Sequence, residues 1–278
     1  MRQMVSRSGI LLKRHKNNMV STYFKKYISI APFTLAIWRS YEAEALSEHI
    51  HFKRPILDLG CGFGEFSGVF FQRQIETGVD ISQKDVELAQ GGKKYKKLIV
   101  ADARKLPFRK GSFETIMSLS VLEHIPQVDG ALRESYRILR LGGRLVFTVP
   151  TRDLNQYLVY PSLLNKLGLT KIADWYIDTF HTVFKHVNVW TPQKWISELK
   201  KAGFSKVTMK GTTPQSVITA FDLLLLTGLP SQILRWLFGK RFILGGNFRN
   251  VFFEWIFAFL TKDTKLTRGN ILIIAEKK

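Results

Sequence analysis

The sequence is poor in cysteine and in acidic residues, and it lacks a long uninterrupted apolar run. Its single cysteine, Cys61, excludes an internal disulfide, so a reducing cytosol is the expected compartment. The longest charge-free candidate for a membrane span, 223–234, is interrupted by Gly228 and Pro230, and it is shorter than the roughly 20 residues that a spanning helix needs. We expect no secretory signal, because the short apolar stretch 9–12 is followed at once by basic residues.

The scarcity of acids leaves a formal net charge of +20. The excess lies on the flanks: residues 1–54 hold 10 basic and 3 acidic side chains, 151–278 hold 18 and 8, and the segment 55–150 is nearly balanced with 14 and 11. Such basic flanks indicate an anionic partner, which could be a membrane surface, a nucleic acid or a phosphorylated substrate.

Three glycines at alternate positions organise the chain. An apolar run, 56–59, leads into Gly60, Gly62 and Gly64, and the helix-compatible segment 65–74 follows. This order predicts a buried strand, a tight turn and a helix start, where a ligand can approach the backbone and meet unpaired N–H groups. The dinucleotide-binding fingerprint places its third glycine one position later, so this spacing does not match it.

The residues 58–64 (D-L-G-C-G-F-G) resemble the D-x-G-x-G-x-G loop of class I S-adenosylmethionine-dependent methyltransferases. The string 121–126 (V-L-E-H-I-P) is similar to the loop after the fourth strand in their ubiquinone- and menaquinone-biosynthesis-like branch, methyltransferase type 11. The resemblance covers about 55–209 and 270–275. It implies an α/β fold, a Rossmann-like doubly wound, mostly parallel sheet of seven strands.

The organisation that follows has a basic arm and helical cap in 1–54 and a methyltransferase domain in 55–278. Two helical insertions interrupt that domain. The aromatic segment 151–190 lies where this family usually has its substrate lid, and 211–268 carries apolar helices edged by basic residues such as Arg235, Lys240 and Arg241. The second insertion either faces a membrane or packs on the protein, and the sequence leaves both open.

Asp80 stands twenty places after Gly60, at the predicted end of the second strand, where an acid can accept both hydroxyls of a ribose. The resemblance implies S-adenosyl-L-methionine as the cofactor, and it assigns Asp102 to the adenine amino group with the backbone of Ala103 framing the ring. The full set of predicted cofactor-binding residues is Asp58, Gly60, Gly62, Gly64, Asp80, Ile81, Asp102, Ala103 and Ser118.

Methyl transfer from a sulfonium is an in-line displacement, so the protein mainly has to hold donor and acceptor together in a dry site. A hydroxyl acceptor must also lose a proton, which calls for a base. The predicted catalytic residues are His124 and His186, with Glu123 as an orienting group; His181 is a weaker candidate. No metal is expected, because Ser120 stands where some relatives have an acid three places before the Glu–His pair.

The favoured function is methyl transfer, most simply to oxygen, on a small-molecule or lipid-linked acceptor. The expected location is cytoplasmic, with a peripheral position on the inner face of an anionic membrane as a further hypothesis. An RNA methyltransferase remains an alternative because of the net charge, although the sequence lacks the Pro-Pro and Pro-Cys strings typical of base-modifying enzymes. A non-catalytic, membrane-associated protein on the same fold is the third class.

Overall fold

The structure is a computed structural model, and it describes residues 22–225, 247–260, 263 and 265–278. The chain divides into two units: residues 50–212 and 267–278 form one, and 1–49 with 213–266 form the other. This division differs from the predicted domains 1–54 and 55–278, because the second insertion is grouped with the N-terminal helices. The predicted arm 1–20 and the basic residues Arg235, Lys240 and Arg241 lie outside the described residues.

The larger unit is built on a seven-stranded sheet in the order β3-β2-β1-β4-β5-β7-β6. Strands β1 to β5 pair in parallel, and β7 runs antiparallel to both of its neighbours. The predicted doubly wound, mostly parallel fold is confirmed. The strands are β1 (Ile56–Leu59), β2 (Ile75–Asp80), β3 (Tyr95–Val100), β4 (Phe113–Leu119), β5 (Leu139–Pro150), β6 (Lys206–Gly211) and β7 (Asn270–Glu276).

Within the larger unit, helices pack against the sheet. Two short 3₁₀ helices, Leu122–His124 and Arg152–Tyr157, follow β4 and β5. In chain order the α-helices are α1 (22–28), α2 (Phe33–His49), α3 (Glu65–Phe70), α4 (Gln83–Gly91), α5 (Val128–Ile138), α6 (Val159–Lys166), α7 (Thr170–Val183), α8 (Pro192–Lys201), α9 (215–225) and α10 (Asn247–Leu260).

Helix α8 shows how local sequence signals produce the fold. The Thr-Pro pair at 191–192 predicts a helix start, and the structure confirms it: the Thr191 hydroxyl accepts a hydrogen bond from the Lys194 N–H, and Pro192 occupies the first turn. Its apolar stripe buries Trp195 completely, and this indole packs 5.5 Å from the Phe147 ring of β5. Full burial of such a side chain contributes about 1.5–3 kcal/mol to stability, so α8 is anchored firmly over the sheet.

The sequence predicts that Asp129 caps the helix after the fourth strand and that this helix ends at Gly142, and helix α5 departs from both predictions. Gln127, in a left-handed conformation, precedes its first residue, and Asp129 instead forms an ion pair with Arg133 across one turn, at 2.8 Å. The helix ends at Ile138 rather than at Gly142, which lies within β5. The prediction for Asp129 is therefore wrong.

The smaller unit packs aromatic rings between its helices. The sequence predicts two helices in this region that are broken near Pro32, and this is confirmed, since α1 ends before Pro32 and α2 begins after it. Phe257 of α10 stacks on Phe24 of α1 at 4.1 Å, and Phe221 of α9 lies 5.2 Å from Trp38 of α2. The described part of the second insertion thus buries apolar side chains against the N-terminal helices. Among the described residues, no helix is both long enough and apolar enough to cross a membrane.

Candidate active site

The glycine loop follows β1 at the point where the sheet order reverses, since β1 lies between β2 and β4. In open α/β sheets this crevice at the carboxyl ends of the strands is where ligands bind. Gly60, Gly62 and Gly64 have φ angles of 79°, 50° and 79°, which side chains rarely tolerate. Burial raises the pKa of the intervening Cys61 thiol, so this residue fills space and is not a thiolate nucleophile.

Asp80 ties the glycine loop to the next strand. Its Oδ2 accepts a hydrogen bond from the Gly62 N–H at 2.8 Å, and its Oδ1 accepts one from the Ser82 N–H at 2.9 Å. Each carboxylate oxygen has two acceptor sites, so this arrangement still leaves capacity for ribose hydroxyls. The neighbouring Ile81 side chain is 71% exposed beside the loop.

Asp58 lies beneath the loop rather than at its surface. Its buried Oδ2 accepts hydrogen bonds from the Ser67 hydroxyl at 2.6 Å and from the Tyr95 hydroxyl at 2.7 Å. Burial and the neighbouring Asp58 charge raise the pKa of Tyr95. The phenol therefore stays protonated and donates a hydrogen bond to Asp58. Asp58 therefore fixes α3 and β3 under the loop through Ser67 and Tyr95. Sequence reasoning missed the contact between Asp58 and Tyr95.

Three further predicted cofactor residues differ in their surroundings. Asp102 follows β3 in a half-buried turn with Ala103, and its carboxylate is held by the Arg104 guanidinium, with Oδ2 to Nη2 at 2.6 Å. The Arg104 hydrogen bond lowers the pKa of Asp102. Ser118 is completely buried, and its hydroxyl donates to the Leu59 carbonyl at 2.9 Å. A direct contact of the Ser118 side chain with a cofactor is therefore not supported.

The predicted catalytic residues come together after β4. Glu123 and His124 lie in the short 3₁₀ helix, and His186 reaches them from the segment between α7 and α8. The His124 Nε2 is 3.7 Å from the Glu123 Oε1, and the rings of His124 and His186 lie 5.5 Å apart. The Glu123 carboxylate is buried, whereas His124 is partly exposed. An added Cβ at Gly60 would lie 2.4 Å from the Val121 Cγ1, so the loop that carries this cluster packs directly on the glycine loop.

A chain of hydrogen bonds sets the orientation of the His186 ring. The Asn155 Oδ1 is an acceptor, so His181 donates to it through Nε2 at 2.9 Å. The His181 Nδ1 must then accept from the His186 Nδ1, 3.1 Å away, which leaves the His186 Nε2 with a lone pair. Burial, with smaller contributions from the nearby His124 and His181, lowers the pKa of His186 to about 3. His186 is accordingly neutral at physiological pH.

A family profile described as a methyltransferase domain matches residues 57–147, which span β1 to β5 and both loops. An uncharacterised protein of Methanocaldococcus jannaschii is 28% identical over 68% of this chain and 82% of its own. The 27-O-demethylrifamycin SV methyltransferase of Amycolatopsis mediterranei is 34% identical over 38% of this chain and 40% of its own. The chain carries a class I S-adenosylmethionine-dependent methyltransferase domain of the type 11 branch.

The solved structures agree on the fold of this methyltransferase. A SAM-dependent methyltransferase of Thermotoga maritima superimposes with a TM-score of 0.55 at 16% identity, covering 87% of this chain and 89% of that one. Several other curated relatives are matched over only 31% to 62% of their length. The methyl donor of this domain family is S-adenosylmethionine.

The glycine loop fits this methyl donor. A Cβ placed on Gly62 would meet nothing within 4 Å, so the loop opens to space at its centre, while Gly60 and Gly64 face protein atoms. Asp80 stands at the edge of that space with both oxygens fixed. These groups suit a nucleoside without a pyrophosphate, and they would hold its ribose at the end of β2.

Asn188 is a site residue that sequence reasoning missed. It is buried, and its Nδ2 donates to the carbonyls of Leu122 at 2.9 Å and Ile125 at 2.8 Å. The N–H groups of Asn188 and Val187 both donate to the Glu123 carbonyl, at 2.9 and 2.8 Å. These four bonds dock the end of the lid segment onto the loop after β4 and so bring His186 to the Glu123–His124 pair. Only the proximity of Asn188 to His186 in the chain hints at this role.

Asn188→Ala is expected to destabilise the methyltransferase by about 2–4 kcal/mol, because two buried carbonyls lose their donor. It should also loosen the position of His186 and reduce methyl transfer. Urea unfolding measures the stability change, and Asn165→Ala, an exposed position on α6, is the matched control. Equal stability of the two variants would contradict the docking role of Asn188.

Proposed function

We propose that this methyltransferase transfers the methyl group to a hydroxyl oxygen of a small-molecule or lipid-linked acceptor. The observation that carries the proposal is the cluster of Glu123, His124 and His186 at the carboxyl end of β4, the strand paired with β1. S-adenosylmethionine, when bound, supplies an electrophilic methyl group on a sulfonium. The cluster lies against the glycine loop through Val121, so the residues that would receive a hydroxyl are close to those that would hold the donor.

The chemistry of the cluster favours an oxygen acceptor. A hydroxyl must lose its proton as the methyl group is transferred, and it needs hydrogen-bond acceptors that orient it. The Glu123 carboxylate and the neutral His186 ring supply such acceptors. The name of the Amycolatopsis relative, 27-O-demethylrifamycin SV methyltransferase, denotes an acceptor that lacks an O-methyl group, and it supports the same class by similarity alone.

The lid segment offers room for an acceptor of moderate size. A cleft of about 440 Å³ opens between the second 3₁₀ helix, α6 and α7, with Asn155, Pro161 and Ile177 among its lining residues. This volume lies in the range of small-molecule sites. Asn155 also accepts the hydrogen bond from His181, so the cleft adjoins the histidine chain of the cluster.

The basic flanks support a lipid-linked acceptor on the cytoplasmic face of an anionic membrane. The net charge of +20 provides attraction to anionic headgroups, worth about 1 kcal/mol for each basic residue near the surface. The lid helices also expose large apolar side chains, Leu167 at 66% and Trp175 at 65%. The same charge favours RNA as the second candidate acceptor, since phosphate binding needs only Lys and Arg.

The proposal is tested by incubating the protein with methyl-labelled S-adenosylmethionine and three acceptor pools: hydroxylated small molecules, a lipid extract in anionic liposomes, and total RNA. We expect labelled methyl ethers in the first or second pool, with the protein co-sedimenting with the liposomes at low salt if the lipid pool is labelled. Glu123→Gln should lower kcat at least about 100-fold while leaving the KM for the donor unchanged, because proton transfer contributes that much.

Glu87→Gln, on the exposed face of α4, is the control and should retain full activity. Label confined to RNA would replace the proposal with the RNA alternative. Donor binding without labelling of any pool would point to the non-catalytic class.

A further inference from the structure

The cluster after β4 has the composition of a metal centre. Glu123, His124 and His186 each offer one ligand atom, and these atoms all lie within 4.8 Å of one another. Ligands around a tetrahedral ion at about 2.1 Å are separated by roughly 3.4 Å, so the three atoms need to approach one another by no more than about 1.4 Å to share one ion. In the described part of the chain, no other three His, Cys, Asp or Glu residues converge in this way.

Both histidine rings are held as metal-binding histidines usually are. The Nδ1 of His124 lies 2.9 Å from the Lys185 carbonyl, which can only accept, so this nitrogen carries the proton and Nε2 keeps the lone pair. That lone-pair nitrogen is the one that lies 3.7 Å from the Glu123 Oε1. His186 donates from Nδ1 to His181, which in turn donates to Asn155. Such outer partners fix the tautomer and leave the second nitrogen of each ring with the lone pair that binding of an ion needs.

The electrostatics are also suitable for a cation. Glu123 places a carboxylate in the protein interior, and the two histidine rings beside it offer ring nitrogens as further ligand atoms. His124 is partly exposed, so an ion can enter from solvent on that side.

We propose that Glu123, His124 and His186 bind one divalent transition-metal ion of the zinc class. Two imidazoles and one carboxylate form a ligand set known from catalytic zinc sites, in which a fourth position stays open. The prediction from the sequence that no metal is bound relied on Ser120, and it considered only the residues next to the Glu–His pair. His186, 62 positions along the chain from His124, supplies the third ligand instead.

An ion at this position would polarise an oxygen bound to it, which is the effect that a hydroxyl acceptor requires. This consequence rests on the proposed function. Ion binding itself does not, because it depends only on the three side chains and their outer partners.

The test is a titration of the untagged protein, first stripped of metal by a chelator, with Zn²⁺ followed by calorimetry and with Co²⁺ followed by its visible absorption. We expect one ion per chain and, for Co²⁺, the intense absorption of a four-coordinate ion with nitrogen ligands. His124→Ala and Glu123→Ala should each weaken binding at least about 100-fold. Asn155→Ala removes only an outer partner and should weaken it about 10-fold.

His51→Ala removes an exposed histidine of the same unit and should leave the affinity unchanged. Because His124 is partly exposed, its variant should fold, and circular dichroism of each apo protein verifies this. The proposal is overturned if the wild type binds no ion, or if the His124 and Glu123 variants bind as tightly as the His51 variant. The titration contains no methyl donor or acceptor, so its outcome is independent of the labelling experiment.

Discussion

Gly60→Ala is expected to lower the free energy of unfolding by about 2–5 kcal/mol and to abolish binding of S-adenosylmethionine. Gly60 has a φ of 79°, where an L-residue is strained by about 1–2 kcal/mol. The new Cβ would also lie 2.4 and 2.5 Å from the two Cγ atoms of Val121, and relieving such overpacking costs about 1–3 kcal/mol. Chemical unfolding and calorimetric titration measure the two effects.

Gly62→Ala is the matched comparison, because it adds the same methyl group two residues away. Its φ is 50°, so the backbone strain remains, but the new Cβ meets no protein atom within 4 Å. We expect a loss of only about 1–2 kcal/mol in stability. The affinity for S-adenosylmethionine should nevertheless fall at least about 10-fold, since the methyl group occupies space that the ligand needs.

The double variant Gly60→Ala with Val121→Ala isolates the clash. Removal of the two Cγ atoms should recover about 1–3 kcal/mol of the stability lost in the single variant. If Gly60→Ala proved as stable as the wild type, or if Gly62→Ala bound the donor normally, the described geometry of the loop would be contradicted.

Asp80→Ala is expected to reduce the affinity for S-adenosylmethionine at least about 100-fold with only a modest change in stability. Two hydrogen bonds from ribose hydroxyls to a carboxylate are worth about 1.5–3 kcal/mol each, and their loss accounts for this factor. The Gly62 and Ser82 N–H groups also lose their acceptor, so the loop itself becomes less well held.

Asp80→Asn separates these two contributions, because it keeps one side-chain oxygen and removes the charge. An intermediate loss of affinity is expected. Asp85→Ala serves as the control, since this acid lies five residues further on in α4, where its backbone N–H rather than its carboxylate bonds Ser82. A normal affinity for the donor in Asp80→Ala would rule out the ribose role.

Local patterns account for what could be predicted from the sequence. The glycine spacing, the apolar run before it and the acid at the end of β2 are consecutive features, and each forms its structure with neighbouring residues. The caps of α4 and α8 were predictable for the same reason, because Ser82 and Thr191 bond N–H groups only three residues away.

Contacts between distant residues have no such local signature. Tyr95 meets Asp58 across 37 positions, and Asn188 reaches Leu122 across 66, so neither partnership could be foreseen from spacing. The burial of the Ser118 side chain could not be foreseen either, because β4 is buried on both faces and lacks the alternation that marks an internal position. Asp129 was misassigned because Gln127, an unusual residue for a left-handed position, begins the helix earlier.

The central claim is that the loop after β1 binds S-adenosylmethionine, and calorimetric titration of the wild-type chain with this donor tests it most directly. The structure predicts one binding site per chain with a dissociation constant in the micromolar range, and no heat of binding with NAD under the same conditions. Absence of S-adenosylmethionine binding, or equally tight binding of NAD, would contradict the account of the glycine loop and of Asp80.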